Sequence, residues 1–262
     1  MQWVTTLITS IESQFKFASR QNSWNIHHRL LRSHNPPPTK TYDDDDGPST
    51  EPPPPPPTSY QHLLHVSYLS QQRTWCYIHT PPPEQPSNHG PANPDAIISI
   101  PQPQIESHFQ LLVNTWAPLW QFRSILNIPQ GHTFSAGQFT IRFGDIRSAR
   151  QGTQAAIIPS PGVVVCITTT IGAPENDGSS HNVGRDDSLN GGEAAQDEEL
   201  DFEEARDVIR ALWRSLKTGR DFGKSEPREV FMGKDGFEGK GNLEKQYEAH
   251  VRMWCEIMRM RG

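Results

Sequence analysis

The run Gln138–Ile171, QFTIRFGDIRSARQGTQAAIIPSPGVVVCITTTI, restricts the fold more than any other stretch of this chain. Phe139, Ile141 and Phe143 share one face of an extended strand and Thr140 and Arg142 the other, because successive strand side chains alternate. Gly144 breaks the alternation: Ile146 falls on the even-numbered face, and a glycine at a change of parity suggests a bulge or bend. Val163 to Ile171 is a second run, rich in β-branched residues. Together they make a sheet core with no group able to turn over a substrate, which favours a scaffold or binding protein.

The rest of the chain cannot all be packed. Only 34% of its 262 residues are apolar, and its 24 prolines and 19 glycines gather in a few segments. Four stretches read as low-complexity inserts: Pro36–Ser59, Pro81–Asp95, Ala173–Glu199 and Gly219–Gly241. The first carries Pro36–Pro38 and Pro52–Pro57 on either side of Asp43–Asp46. Polyproline is stiff and adjacent carboxylates repel, so this is a solvated loop. The acidic Gly/Ser/Asn stretch 173–199 is expected to be disordered. The remainder is the size of one domain, so residues 1–262 are read as a single domain with inserts at 36–59, 81–95, 173–199 and 219–241.

Periodicity supplies the elements between the inserts. Val4, Ile8, Ile11 and Phe15 recur at helical spacing. WNIHHRLL (24–31) alternates as a strand. His62–Leu69 and Thr74–Thr80 are strand-like runs joined by a short polar gap, which predicts an antiparallel hairpin. Ala96–Ile100 is a short strand, and Gln104–Trp116 is a helix with Ile105, Phe109, Leu112, Val113 and Trp116 on one face. Phe122–Ile128 is again extended. Asp201 and Glu204 begin a helix in the manner of a capping box. Phe202, Ala205, Val208, Ile209, Leu212 and Leu216 form its stripe, and Gly219 ends it. The last helix starts at about Leu243 behind Asn242, with Tyr247, Val251, Trp254 and Met258 inward. Adjacent strands with short links favour an antiparallel α+β fold over a doubly wound one.

Chemistry is hard to place on this frame. His27 and His28 lie on opposite strand faces, and Cys76-x-x-His79 offers two ligands where zinc needs three or four, so no metal site is expected. No phosphate-binding glycine motif or nucleophile elbow occurs, and no cofactor is implied. A β-barrel metal-dependent phosphohydrolase would need carboxylates at i and i+2 on its strands, and these are missing. The net charge of −6 speaks against direct nucleic-acid binding, including a saddle-like promoter-DNA binder. Three widely spaced cysteines give no disulfide framework and fit a reducing compartment. No apolar run reaches the ~20 residues of a membrane span.

Several patterns in order, WNIHHRLLR, LLHVSYLSQQRTWCYIH, Leu119-Trp120 with Arg123, GQFTIRFGDI, VVVCITTTI, EEARDVIRALWRSL and YEAHVRMWCEIMRMR, resemble fungal members of the Mediator complex subunit 20 family. The resemblance runs from Trp24 to Arg261 and skips the inserts. The resemblance implies a strand ahead of the first helix; this sequence starts almost directly in that helix, so either the first strand is missing or the start is misplaced. The resemblance implies a curved, barrel-like antiparallel sheet flanked by about four helices. It also implies a nuclear, non-catalytic subunit of the Mediator head module, a coactivator relaying regulatory signals to RNA polymerase II. The implied partners are Mediator subunit 18, as a heterodimer, and subunit 8 with the rest of the head module. Contact with the polymerase machinery would be indirect, with no direct nucleic acid, membrane or small-molecule substrate.

One residue-level expectation follows from the second strand. Val163, Val165 and Ile167 can cover helices, yet Val164 and Cys166 on the other face are also apolar, and a sheet apolar on both faces needs a second cover. Either a helix of this chain or a partner supplies it. Val164, Cys166 and Thr168 are the candidate partner-interface residues.

Overall fold

The computed structural model describes residues 2–34, 58–79, 95–149, 162–169, 193–220, 227–232 and 243–260. Within these, helix α1 is Gln2–Gln14, and strands β1 to β4 are Ser19–Ser33, Tyr60–Val66, Arg73–His79 and Ala96–Pro101. Helix α2 is Ile105–Gln110, strands β5 to β7 are Trp120–Ala136, Phe139–Ala149 and Gly162–Thr169, and helices α3 and α4 are Glu193–Lys217 and Leu243–Arg259. The strands form one antiparallel sheet in the order β4-β3-β2-β1-β5-β6-β7. It is open rather than closed, with β4 and β7 at its edges. The tracts Pro36–Pro38, Asp43–Asp46 and Pro52–Pro57 lie outside the described residues.

The chain divides into two compact units, with boundaries inside β1 after Trp24, inside β5 after Pro129, inside β6 after Ile146 and inside α4 after Gln246. The first unit comprises Met1–Trp24, Gln130–Ile146 and Gly162–Gln246. Its core joins Leu7 and Ile11 of α1, Phe134 and Ala136 of β5, Ile141 and Phe143 of β6, and Leu212 and Leu216 of α3. Val163, Val165 and Ile167 of β7 pack against that cluster, on the face expected to meet helices. Ser10, fully buried on α1, donates its hydroxyl to the Leu216 carbonyl at 2.7 Å, so one of the carbonyls left open at a helix end is satisfied. Gly219 follows α3 at φ +72°, a left-handed stop that suits glycine.

The β5–β6 hairpin turns on two residues, and its first, Gly137, has φ +61°. That is the position a two-residue primed turn gives to glycine. Beyond it, β6 and β7 pair without interruption from Phe139 opposite Thr169 to Ile146 opposite Gly162. Gly144 faces Val164 with no extra residue, so the bulge expected there is absent from this ladder. The parity change has another cause: Ile141 and Phe143 are buried on the odd face, and Ile146 is buried on the even face.

The second unit comprises Asn25–Pro129, Arg147–Pro161 and Tyr247–Gly262. The β2–β3 hairpin has the expected place and pairs Tyr60 with His79 through Leu64 with Trp75. One face holds Leu31, Leu63, Cys76 and Ile100 against Phe109 and Leu112. The other meets α4: Tyr247 lies beside Trp75, Trp254 donates its indole N–H to Tyr68 Oη at 2.7 Å, and Arg259 sits over Tyr60.

Two helices differ from their sequence patterns. The stretch expected as one helix over 104–116 is a 3₁₀ turn (Gln102–Gln104), α2, and a π turn (Leu111–Thr115). The Trp116 N–H bonds the Leu111 carbonyl at 3.0 Å, five residues back. That wider turn rotates Trp116 off the stripe, leaving it 41% exposed while Phe109 and Leu112 stay buried. Helix α3 begins at Glu193, eight residues ahead of Asp201, inside the stretch expected to lack structure.

Candidate functional site

The three residues singled out on β7 do not present equal surface. Val164 is 8% exposed and Cys166 7%, while Thr168 is half-buried and donates its hydroxyl to the Thr140 carbonyl at 3.4 Å. Val164 and Cys166 are therefore already covered within the chain. This face can still offer Thr168 and the outer backbone edge of β7, which has no strand beyond it among the described residues.

In the second unit the exposed apolar side chains include Leu111, Trp116 and Leu119, with Leu119 60% exposed. Backbone bonds from Trp116 N to Leu111 O and from Leu119 N to Trp116 O, at 3.0 and 2.9 Å, tie them into one turn. An apolar group held in place on the surface is the kind of feature that contacts another protein.

A cleft of about 260 Å³ in the same unit is lined by His27, Arg29, His65, Thr74, Gln102 and Glu106 among others. Its cation is already engaged: Arg29 bonds Glu106 at 2.7 Å and lies over the Phe109 ring, 4.2 Å from its centroid. Burial, then the charge of Arg29, lowers the His27 pKa, so that imidazole is neutral at pH 7. The cleft is smaller than ordinary small-molecule pockets, which begin at roughly 300 Å³. Among the described residues, Asp145 is the one acidic residue on a strand, so no pair of carboxylates shares a strand face there.

A different polar group is assembled from residues that share no spacing motif. His28 of β1, His62 of β2 and Cys255 of α4 converge, with one ligand-capable atom from each lying within 4.8 Å of the others. His28 and Cys255 are completely buried and His62 is 1% exposed. His28 Nε2 and His62 Nδ1 lie 3.0 Å apart, one donating and the other accepting. Burial lowers the His28 pKa to about 3 and holds His62 well below its usual range. Burial also pushes the Cys255 thiol well up, so both rings are neutral and the sulfur keeps its proton. Cys76 and His79, the pair closest to ligand spacing in the sequence, are not brought together: Cys76 accepts from Gln61 Nε2, and His79 Nδ1 pairs with Asp95 at 2.8 Å. Only the pairing of β1 with β2 and the docking of α4 could reveal the new group, since its members are far apart in sequence.

Comparison with known proteins bears on both units. The family model described as the TATA-binding related factor (TRF) of subunit 20 of Mediator complex matches residues 1–249. No curated protein matches the chain. Among solved structures, the PH1819 protein from Pyrococcus horikoshii OT3 is 10% identical over 66% of this chain and 76% of its own, with a TM-score of 0.30. A likeness at that level supports no structural conclusion.

Proposed function

The chain belongs to the Mediator subunit 20 family, and from that premise we propose that it is a non-catalytic subunit of the Mediator head module that works by binding other proteins. Membership makes it a Mediator subunit with a role in transcription, and Mediator subunits act in the nucleus on RNA polymerase II transcription. The proposal adds the module, the coactivator role, and the partners: subunit 18 as the heterodimer mate, and subunit 8 as the tether to the rest of the head.

The observation that carries the reading is the extent of the family match, residues 1–249, which spans parts of both compact units. The scarcity of acidic side chains on the strands supports it over a barrel phosphohydrolase. For the partner contact we take the Val164–Cys166–Thr168 face of β7, with Thr168 and the strand edge as its accessible part. The apolar turn Leu111–Trp116–Leu119 is the second surface to test. Co-expression with subunit 18, followed by size-exclusion chromatography, tests the reading. A stable one-to-one complex is expected, and two separately eluting, folded proteins would refute it.

A further inference from the structure

We propose that His28, His62 and Cys255 form a buried three-ligand site for a thiophilic metal cation, zinc(II) or copper(I). The register places the two histidines together: His28 pairs with Leu64 and Leu30 with His62, so the two imidazoles are diagonal neighbours on one face of β1 and β2. Cys255 comes down on that face from α4, between Trp254 and Met258, which are themselves fully buried. Each neutral imidazole has one donor and one acceptor nitrogen. The single bond between the rings uses one nitrogen of each, and His28 Nδ1 is left buried without a partner.

Two nitrogens and a sulfur are the donors that zinc and copper select over the hard cations. Bonds to nitrogen of about 2.0–2.1 Å at a tetrahedral angle put two ligating nitrogens about 3.3 Å apart. The 3.0 Å separation of His28 Nε2 and His62 Nδ1 needs only a small opening to reach that spacing. The cation would take one lone pair from each ring and replace the bond between them, and the ring that donates in that bond would shift its proton to its other nitrogen. The sulfur binds as thiolate, so the Cys255 proton passes to solvent as the metal–sulfur bond forms. No fourth His, Cys, Asp or Glu joins the group among the described residues. That leaves a three-coordinate copper(I), or a zinc with one small ligand from solution. With all three ligands buried, the cation enters as the chain folds.

The site is built from this chain alone and does not depend on the identity of any partner subunit. Its test is elemental analysis of the full-length chain, refolded with zinc(II) or, under reducing conditions, with copper(I), then freed of loose metal by gel filtration. About one equivalent of one of these metals is expected to remain bound. Cys255→Ser and His62→Gln are expected to reduce this at least about tenfold, since losing even a residue that only orients a ligand costs that much in affinity. Cys76→Ser removes a buried thiol from the other face of the strands and is expected to leave the content unchanged. Cobalt(II) supplies a second readout, a near-ultraviolet thiolate charge-transfer band present in wild type and absent in Cys255→Ser. A folded wild-type chain that retains neither metal overturns the proposal whatever the variants do. So does a metal content that Cys255→Ser and His62→Gln leave intact.

Discussion

Gly131→Ala is the sharpest test of how the first unit packs. The Trp24 indole closely approaches the residue 131 backbone: a Cβ there would sit 2.5 Å from Trp24 Nε1 and 2.7 Å from Cδ2. Trp24 is 2% exposed, and its indole N–H donates to the His132 carbonyl at 3.0 Å. The ring cannot retreat without giving up that bond. Overpacking costs about 1–3 kcal/mol, and loss of the bond about 1 kcal/mol more. The reduced entropy of the unfolded alanine chain returns about 0.4–1 kcal/mol. The net destabilisation is about 2 kcal/mol, read as a lower urea midpoint with an unchanged slope by far-ultraviolet circular dichroism. Trp24→Leu alone leaves a cavity and costs about 3 kcal/mol. In the double variant the methyl no longer meets an indole, so the two losses should fall short of additivity by at least about 1 kcal/mol. A Gly131→Ala protein within about 0.5 kcal/mol of wild type, or strict additivity with Trp24→Leu, would refute the close approach.

Three further outcomes follow from named contacts. Ser10→Ala strips the buried Leu216 carbonyl of its partner and should cost about 1–2 kcal/mol, measured by urea denaturation. Arg29→Ala should cost about 1–2 kcal/mol because it removes the guanidinium packed over Phe109. Glu106→Gln, at the 61% exposed end of the same ion pair, should cost under about 0.5 kcal/mol; equal losses from the two would show that the ion pair, not the ring contact, matters. Thr168→Arg should reduce capture of subunit 18 in a pull-down while costing no more than about 1 kcal/mol of stability, the scale of its weak bond to the Thr140 carbonyl, and unchanged capture would move the contact off β7. A Val164→Asp variant cannot serve that purpose, because a carboxylate at an 8% exposed position would disrupt the fold itself.

Local pattern was readable in the sequence where the covered faces of an element stay the same along its length. The hairpin from Tyr60 to His79, covered on both faces, the alternation through Phe139–Phe143 and the Leu212–Leu216 stripe are of this kind. Legibility failed where the burying partner changes along the element. Beyond Gly144 the covered face switches, and a one-residue π insertion after Gln110 turns Trp116 outward. The long β5, with Pro129 inside it, has no single alternating face from Trp120 to Ala136 and so read only in part as a strand. On β7 the apolar pattern correctly marked two covered faces but could not say what covers the second. The His28–His62–Cys255 group was out of reach for a different reason. Its geometry is set by strand register and helix docking, neither of which leaves a spacing motif.

The most direct test of the central claim is affinity purification of the tagged full-length chain from nuclear extract, with the co-purifying proteins identified by mass spectrometry. Membership of the Mediator subunit 20 family predicts recovery of other Mediator subunits, and the proposed place in the head module predicts that subunits 18 and 8 are the most enriched. Recovery of the folded chain with no other Mediator subunit would contradict it.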